Sequence, residues 1–322
     1  MTRLAYLAPV TAVALLLACT ADGRMDAAAP GADSAAAAVE TGAADALPDA
    51  AAAPPDDSTG AAFRRIMRFA ADSGLAERPY GEIISAVGRQ LLRRPYVAGM
   101  LDMTEDERLI TDLTAFDCVL YVENVLALAR GIALGDTTYA GYVANVERLR
   151  YRGGEMDGYC SRLHYFTDWI EDNERRGNVR DVTQEAGGVA YDKTVNFMST
   201  HRASYPRLVA SDEVYACIQN TESDLRDHDL YYIPEDDIAA AYDELQPGDI
   251  IATATNIGGL DVTHTGFVYR TESGGTAFLN ASTSGEVKIT PDLATYVQGV
   301  RAQTGIIVAR PVDPRTELRT ER

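Results

Sequence analysis

The chain has 322 residues, 46% of them hydrophobic, with 48 acidic against 29 basic side chains. That length accommodates one large domain or two small ones around a sizeable core. A net charge of -19 and an isoelectric point near 4.6 argue against a nucleic-acid binder that must neutralise phosphates, and against a protein held on anionic lipid by basic patches.

Residues 1–18 carry Arg3, an apolar run that ends in Leu15, Leu16 and Leu17, and then Ala18. The run is too short for an ordinary membrane-spanning helix and has the proportions of an export signal. The junction Leu16-Leu17-Ala18-Cys19 resembles the lipobox of bacterial lipoproteins. That resemblance implies that Cys19 is diacylated through sulfur, becomes the new N-terminus and anchors the protein without a spanning helix. Thr20 in the next position, rather than Asp, implies sorting to an outer membrane, so the expected location is a cell-envelope lipoprotein facing the periplasm. A plain secretory signal with an incidental cysteine is the competing reading. Residues 20–60 hold 16 Ala, eight acidic residues, four Pro and one basic residue, Arg24. Such a segment has little to bury against its ordering entropy, so 19–60 reads as a lipidated cysteine followed by a flexible acidic tether.

With Cys19 assigned to lipid, Cys118, Cys160 and Cys217 remain, and at least one of them has no partner within the chain. Cys118 has the surroundings of a free reactive thiol, while pairing of Cys160 with Cys217 is left open by the sequence. No CxxC element or clustered His and Cys spacing calls for zinc, and neither a metal nor an organic cofactor is implied.

The folded part is expected over 61–322. Phe63, Ile66, Met67 and Ala70 recur at helical spacing, and a second periodic segment, 80–94, stops before Pro95. The stretch 116–130 is the most apolar long segment after the leader. Its length and its lack of internal Gly or Pro favour a buried helix, with Asp117 as N-cap. Further helices are expected over 138–150 and 161–174. Past Pro234 the pattern turns to short strands at 245–252, 264–269, 277–280, 286–289 and 305–308, separated by turn residues. Helices first and a largely antiparallel sheet afterwards make an α+β domain.

Three positions carry chemistry. Cys118 sits in the first turn of the buried helix, where unpaired backbone N–H groups and the helix dipole favour thiolate over thiol. The bland alternative is a small buried hydrophobe. His264 opens a predicted strand and can face a helix N-terminus, in contrast to His228 in the charged run Glu222 to Asp229. Asn280 ends the next strand, where its amide can fix the imidazole tautomer, although a turn amide capping the strand end accounts for it equally simply.

These segments together resemble the bacterial N-acetylmuramoyl-L-alanine amidase-like domain of unknown function family (DUF1460-like), placed among the NlpC-type papain-like cysteine peptidases and amidases. The residues that carry the resemblance are 116–124, 157–169, 245–250, 259–266, Ala281-Ser282 and 305–310. The resemblance implies a papain-like fold, Cys118 as nucleophile and His264 as general base. Asn280 stands where relatives often have a histidine in a His-Ala-Ser segment. The resemblance also makes Asp117, Tyr159, Arg162, His164 and Trp169 a substrate-binding set, with Arg162 placed to hold a carboxylate bidentately. An equally economical account makes Tyr165, Phe166 and Trp169 core aromatics and Arg162 half of a buried ion pair. His201, in a loop that also resembles the family, is a poorer candidate base.

The expected reaction is cysteine-dependent hydrolysis of a peptidoglycan or muropeptide amide through a thioester, at the lactyl-L-alanine bond or within the stem peptide. The same thioester passed to an amine or hydroxyl would make the protein an acyltransferase. A non-catalytic wall-binding lipoprotein is the third reading, and it gains force if Cys118 is buried or disulfide-bonded.

Overall fold

The structure is a computed structural model that describes Pro55 and residues 57–316. The export signal, Cys19 and nearly all of the tether lie outside the described residues. Among those described, no helix is long and apolar enough to cross a membrane.

The first helix begins at Ser58, within the stretch read from composition as tether. Asp57 accepts a hydrogen bond from the Gly60 N–H and so caps α1 (Ser58–Asp72), which draws the end of the expected tether into helix. The second periodic segment forms α2 (Tyr80–Gln90), shorter than expected because Leu91 to Arg94 close it in tight turns before Pro95. The apolar segment forms α3 (Cys118–Leu134), capped by the Asp117 side chain and ended by Gly135 at φ 74°. Fourteen of its 17 residues are buried, because a helix apolar all round must be packed on every side. It lies between α2, α4 (Tyr139–Arg150) and the sheet. The expected helix over 161–174 begins late, as α5 (Phe166–Arg175). Tyr159–Ser161 is a single 3₁₀ turn, and Arg162 bridges in β fashion to Tyr151.

Between the helical half and the main sheet lie β1 (Val179–Asp181), β2 (Val189–Ala190), α6 (Phe197–Thr200), α7 (Pro206–Ala210), α8 (Asp212–Asp224) and β3 (Tyr231–Pro234). Then follow β4 (Ile250–Thr255), β5 (Val262–Arg270), β6 (Thr276–Ala281), β7 (Val287–Thr290), α9 (Leu293–Gln298) and β8 (Gln303–Pro311). The strands run in the order β2-β3-β8-β4-β5-β6-β7, with β1 also on β8, and every pairing is antiparallel. This is the α+β class expected from the order of patterns.

The sheet separates two cores. Ile250, Phe267, Leu279 and Ile307 face α3, whereas Ile251, Val268, Phe278 and Val308 face α9 with Leu293 and Val297. A third cluster, with Tyr165, Met198, Leu208 and Ile218, sits under α6 to α8. Cys160 and Cys217 form a disulfide across 57 residues and tie α8 to the 3₁₀ turn at Tyr159. Closing a loop of that length removes denatured-state entropy worth roughly 4 kcal/mol in the chain-entropy account.

Candidate active site

The Asp117 cap fixes Cys118 as the first residue of α3: its Oδ1 accepts from the Leu120 N–H at 2.8 Å, so this carboxylate is committed to the helix. Cys118 is the free cysteine among the described residues and is 1% exposed. It abuts Thr265, whose backbone and hydroxyl both favour the thiolate, yet burial and the neighbouring Asp117 outweigh them and push the thiol up to about 12. The helix N-terminus was expected to depress this value. The expectation fails because removal from water penalises the anion more than the helix end rewards it. Burial likewise raises the Asp117 carboxyl to about 6.

His264 lies on β5 immediately before Thr265 and is 2% exposed. Its Nε2 meets the Asn280 Oδ1 on β6 at 3.0 Å, which makes Nε2 the protonated nitrogen. The amide is held in turn, since Asn280 Nδ2 donates to the Phe278 carbonyl at 3.1 Å and to the Thr290 hydroxyl at 3.3 Å. Nδ1 is buried with no partner and carries the imidazole lone pair. Burial lowers the imidazole to about 4; the bond to Asn280 opposes this and the Lys288 charge adds to it. Tyr296 of α9 links the two halves of the site. Its ring centroid is 5.9 Å from that of His264, and it lies near enough to Cys118 for a thiolate there to raise the phenol's pKa. Sequence reasoning missed Tyr296, because nothing in 293–298 distinguishes this tyrosine from the chain's sixteen others.

Gly266 permits this arrangement. A Cβ there would meet Leu279 O at 2.7 Å, the Phe278 ring at 2.7 Å and the Asn280 Cβ at 2.8 Å, all atoms with little freedom to yield. Gly266→Ala is therefore expected to push β6 away, lengthen the His264 to Asn280 bond and cost about 1–3 kcal/mol by overpacking. Chemical denaturation measures the cost, and loss of the hydrogen-bonded Nε2–H resonance in the NMR spectrum reports the broken contact.

In the 157–169 segment several of the side chains named from the sequence find partners within the protein. Arg162 is 4% exposed; its guanidinium pairs with Asp102 at 2.5 Å, lies 3.7 Å from Glu107 and donates to the Leu101 carbonyl at 2.8 Å. Its donors are spent on the protein rather than held out for a substrate carboxylate. Trp169 is fully buried and stacks on Phe166 at 5.0 Å, so it belongs to the core beneath α5 and does not line a cleft. Tyr159 packs against His164 at 4.3 Å and lies under the guanidinium groups of Arg162 and Arg207. His164 meets the Tyr159 carbonyl through Nε2 at 2.8 Å, and burial and Arg162 lower its pKa to about 3. Tyr159 lines a cavity of about 480 Å³ with Asp102, Met103, Tyr205 and Arg207. His201 is exposed and stacks on Phe197.

Residues 86–306 match the family model of N-acetylmuramoyl-L-alanine amidase-like (AmiA-like) domains. The chain belongs to that family. Similar solved structures include an N-acetylmuramoyl-L-alanine amidase from Bacteroides uniformis, 31% identical, with a TM-score of 0.68 over 72% of this chain and 99% of that one. A Bacteroides fragilis protein named as a candidate xylanase is 34% identical, with a TM-score of 0.63 over 70% of this chain and 99% of that one. A Legionella pneumophila protein of the DUF1460 family shares the fold at 18% identity and a TM-score of 0.61, over 79% and 94% of the two chains. No curated protein matches the sequence.

Proposed function

We propose that this amidase-like protein is a cysteine-dependent amide hydrolase acting on peptidoglycan or its muropeptide fragments, tethered in the cell envelope through a lipidated Cys19. The observation that carries the reading is the state of His264. Its Nε2 is tied to Asn280 while Nδ1 is left without a partner, beside a residue that contacts the free thiol of Cys118. In this reading Nδ1 takes the thiol proton as sulfur attacks the carbonyl. The same nitrogen returns that proton to the departing amine, and water then hydrolyses the thioester. Asn280 holds the ring in the required tautomer, and the Cys118 N–H at the start of α3 faces the developing oxyanion. Kinship with the Bacteroides uniformis amidase supports the lactyl-L-alanine bond as the point of cleavage. The glycosidase name of the Bacteroides fragilis relative calls for two facing carboxyl groups. The groups gathered here are a thiol, an imidazole, an amide and hydroxyls.

Mass spectrometry of defined muropeptides incubated with the protein tests this reading. A free stem peptide together with the intact disaccharide identifies the amidase, a shortened peptide identifies a stem-peptide endopeptidase, and an unchanged spectrum sinks both. The burial of Cys118 favours a second reading, a wall-binding lipoprotein without turnover. It predicts muropeptide binding with no product of either kind.

The pH dependence follows from the imidazole. An ordinary histidine, titrating near 6.5, would be only about one quarter neutral at pH 6. Held at about 4, His264 stays neutral there, and the thiol at about 12 stays protonated throughout the working range. The expected kcat/KM profile is flat from about pH 6 to 9 and falls on the acid side with a midpoint near 4. A midpoint near 6.5 would show that the imidazole is solvated in the working enzyme.

A further inference from the structure

The chain has two lysines, and they stand in contrasting positions. Lys193 is spent on the protein, because its ammonium donates to the Thr255 and Ile257 carbonyls. Lys288 lies on β7 directly opposite Asn280 of β6, so the two side chains leave the same face of the sheet. Asn280 is the residue that holds the His264 imidazole. The half-buried Lys288 donates to the Ser284 hydroxyl at 2.7 Å, and that hydroxyl lies 3.0 Å from Ser282, the residue after β6. One hydroxyl engages only one of the three ammonium donors. Among the described residues the ammonium has no carboxylate partner, although the chain carries 48 acidic side chains.

This charge bears on the chemistry. Burial is the main influence that lowers the His264 imidazole, and the Lys288 ammonium lowers it further, against the bond to Asn280. A cation beside a base that must accept a proton opposes that step. A carboxylate docked on the ammonium removes the opposition once substrate is in place, and the pairing selects for substrates that carry one. A catalytic base with an unpaired cation on the same sheet face, one residue pair from its orienting amide, therefore fits a peptide with an acidic group near the scissile bond.

Resting on the hydrolase reading above, we propose that Lys288 determines specificity: its ammonium binds the carboxylate of the stem peptide nearest the scissile amide. The site thereby prefers a muropeptide with that carboxylate free over one in which it is a carboxamide, since a neutral amide leaves the cation unpaired. Ser284 holds the ammonium at the end of the β6–β7 hairpin, so the charge is positioned before substrate arrives.

The test compares wild type, Lys288→Met and Lys288→Arg on two muropeptides that differ only in that group, free carboxylate against carboxamide. Wild type is expected to favour the carboxylate at least about tenfold in kcat/KM, as a charged hydrogen bond provides, with most of the difference in KM. Lys288→Met should reduce the preference to about twofold or less, and Lys288→Arg should keep it. Loss of the charge alters the imidazole alike with both substrates, so the ratio between them isolates recognition of the carboxylate. An equal preference in wild type and Lys288→Met, or none in wild type, with turnover intact, overturns the role of Lys288 and leaves the hydrolase standing. Absence of turnover in wild type overturns the hydrolase reading and this role with it.

Discussion

Cys118→Ala is expected to abolish muropeptide hydrolysis, with a loss of at least about 10⁴-fold in kcat, while leaving the fold intact. Removing a nucleophile leaves only substrate binding and the oxyanion donors, which together sustain a small residue of the rate. The fold should survive because Cys118 occupies a buried position where alanine removes one sulfur and adds no polar group, and because the Asp117 cap keeps its bond to Leu120. A thermal transition shifted by only a few degrees, together with unchanged muropeptide affinity, would assign the loss to chemistry. Trapping with hydroxylamine supplies the complement. Wild type should yield the hydroxamate of the acyl group, and the variant should yield none. Full activity in Cys118→Ala would remove the thioester from the mechanism.

Arg150→Met is expected to produce the largest loss of stability. Arg150 Nε donates to Glu123 Oε2 at 2.7 Å with both side chains 1% exposed, and Arg150 Nη1 donates to the Ile110 carbonyl at 2.7 Å. The pair joins α3 to α4 and pins the chain that leads into Cys118. Removing the guanidinium leaves a carboxylate deep in the apolar core, which costs about 3–5 kcal/mol, a fall of roughly 10 °C in Tm for a domain of this size. Burial already raises the Glu123 carboxyl above its usual value, with Arg150 the main opposing influence. Without Arg150 its folded pKa rises further above the unfolded one. The loss should therefore be smallest at about pH 4, where the group is protonated in both states, and should grow as pH rises through the folded value. The double variant Glu123→Leu/Arg150→Met should recover much of the stability, since it leaves no unpaired charge. Equal melting temperatures for Arg150→Met and wild type would show that the pair contributes nothing.

The local code of the chain determined a good deal. The 3.6-residue periodicity placed α1, α2 and α4, and the uninterrupted apolar run with Asp117 before it placed α3 and its cap. Alternating short segments bounded by Gly and Asn placed β4 to β8, and the order of the two patterns gave the α+β class. Helix-start and strand-end positions singled out Cys118, His264 and Asn280, the resemblance supplied catalytic roles for them, and His264 and Asn280 meet on neighbouring strands. Sequence spacing alone left the partner of Cys160 open, because pairing depends on where α8 comes to rest.

Tertiary structure decided what propensity cannot encode. Whether Arg162 serves a substrate or an ion pair depended on Asp102 and Glu107 arriving from 60 and 55 residues away in the chain. The ionisation of Cys118 depended on how completely the sheet and its neighbours exclude water from the start of α3, a sum over many contacts that outweighed the local pull of the helix end. Tyr296 came beside His264 only when α9 folded back onto the sheet. Periodicity is a property of neighbours along the chain and is legible there. Burial, charge partners and orphaned polar atoms belong to neighbours in space, and those were fixed only when the chain closed on itself.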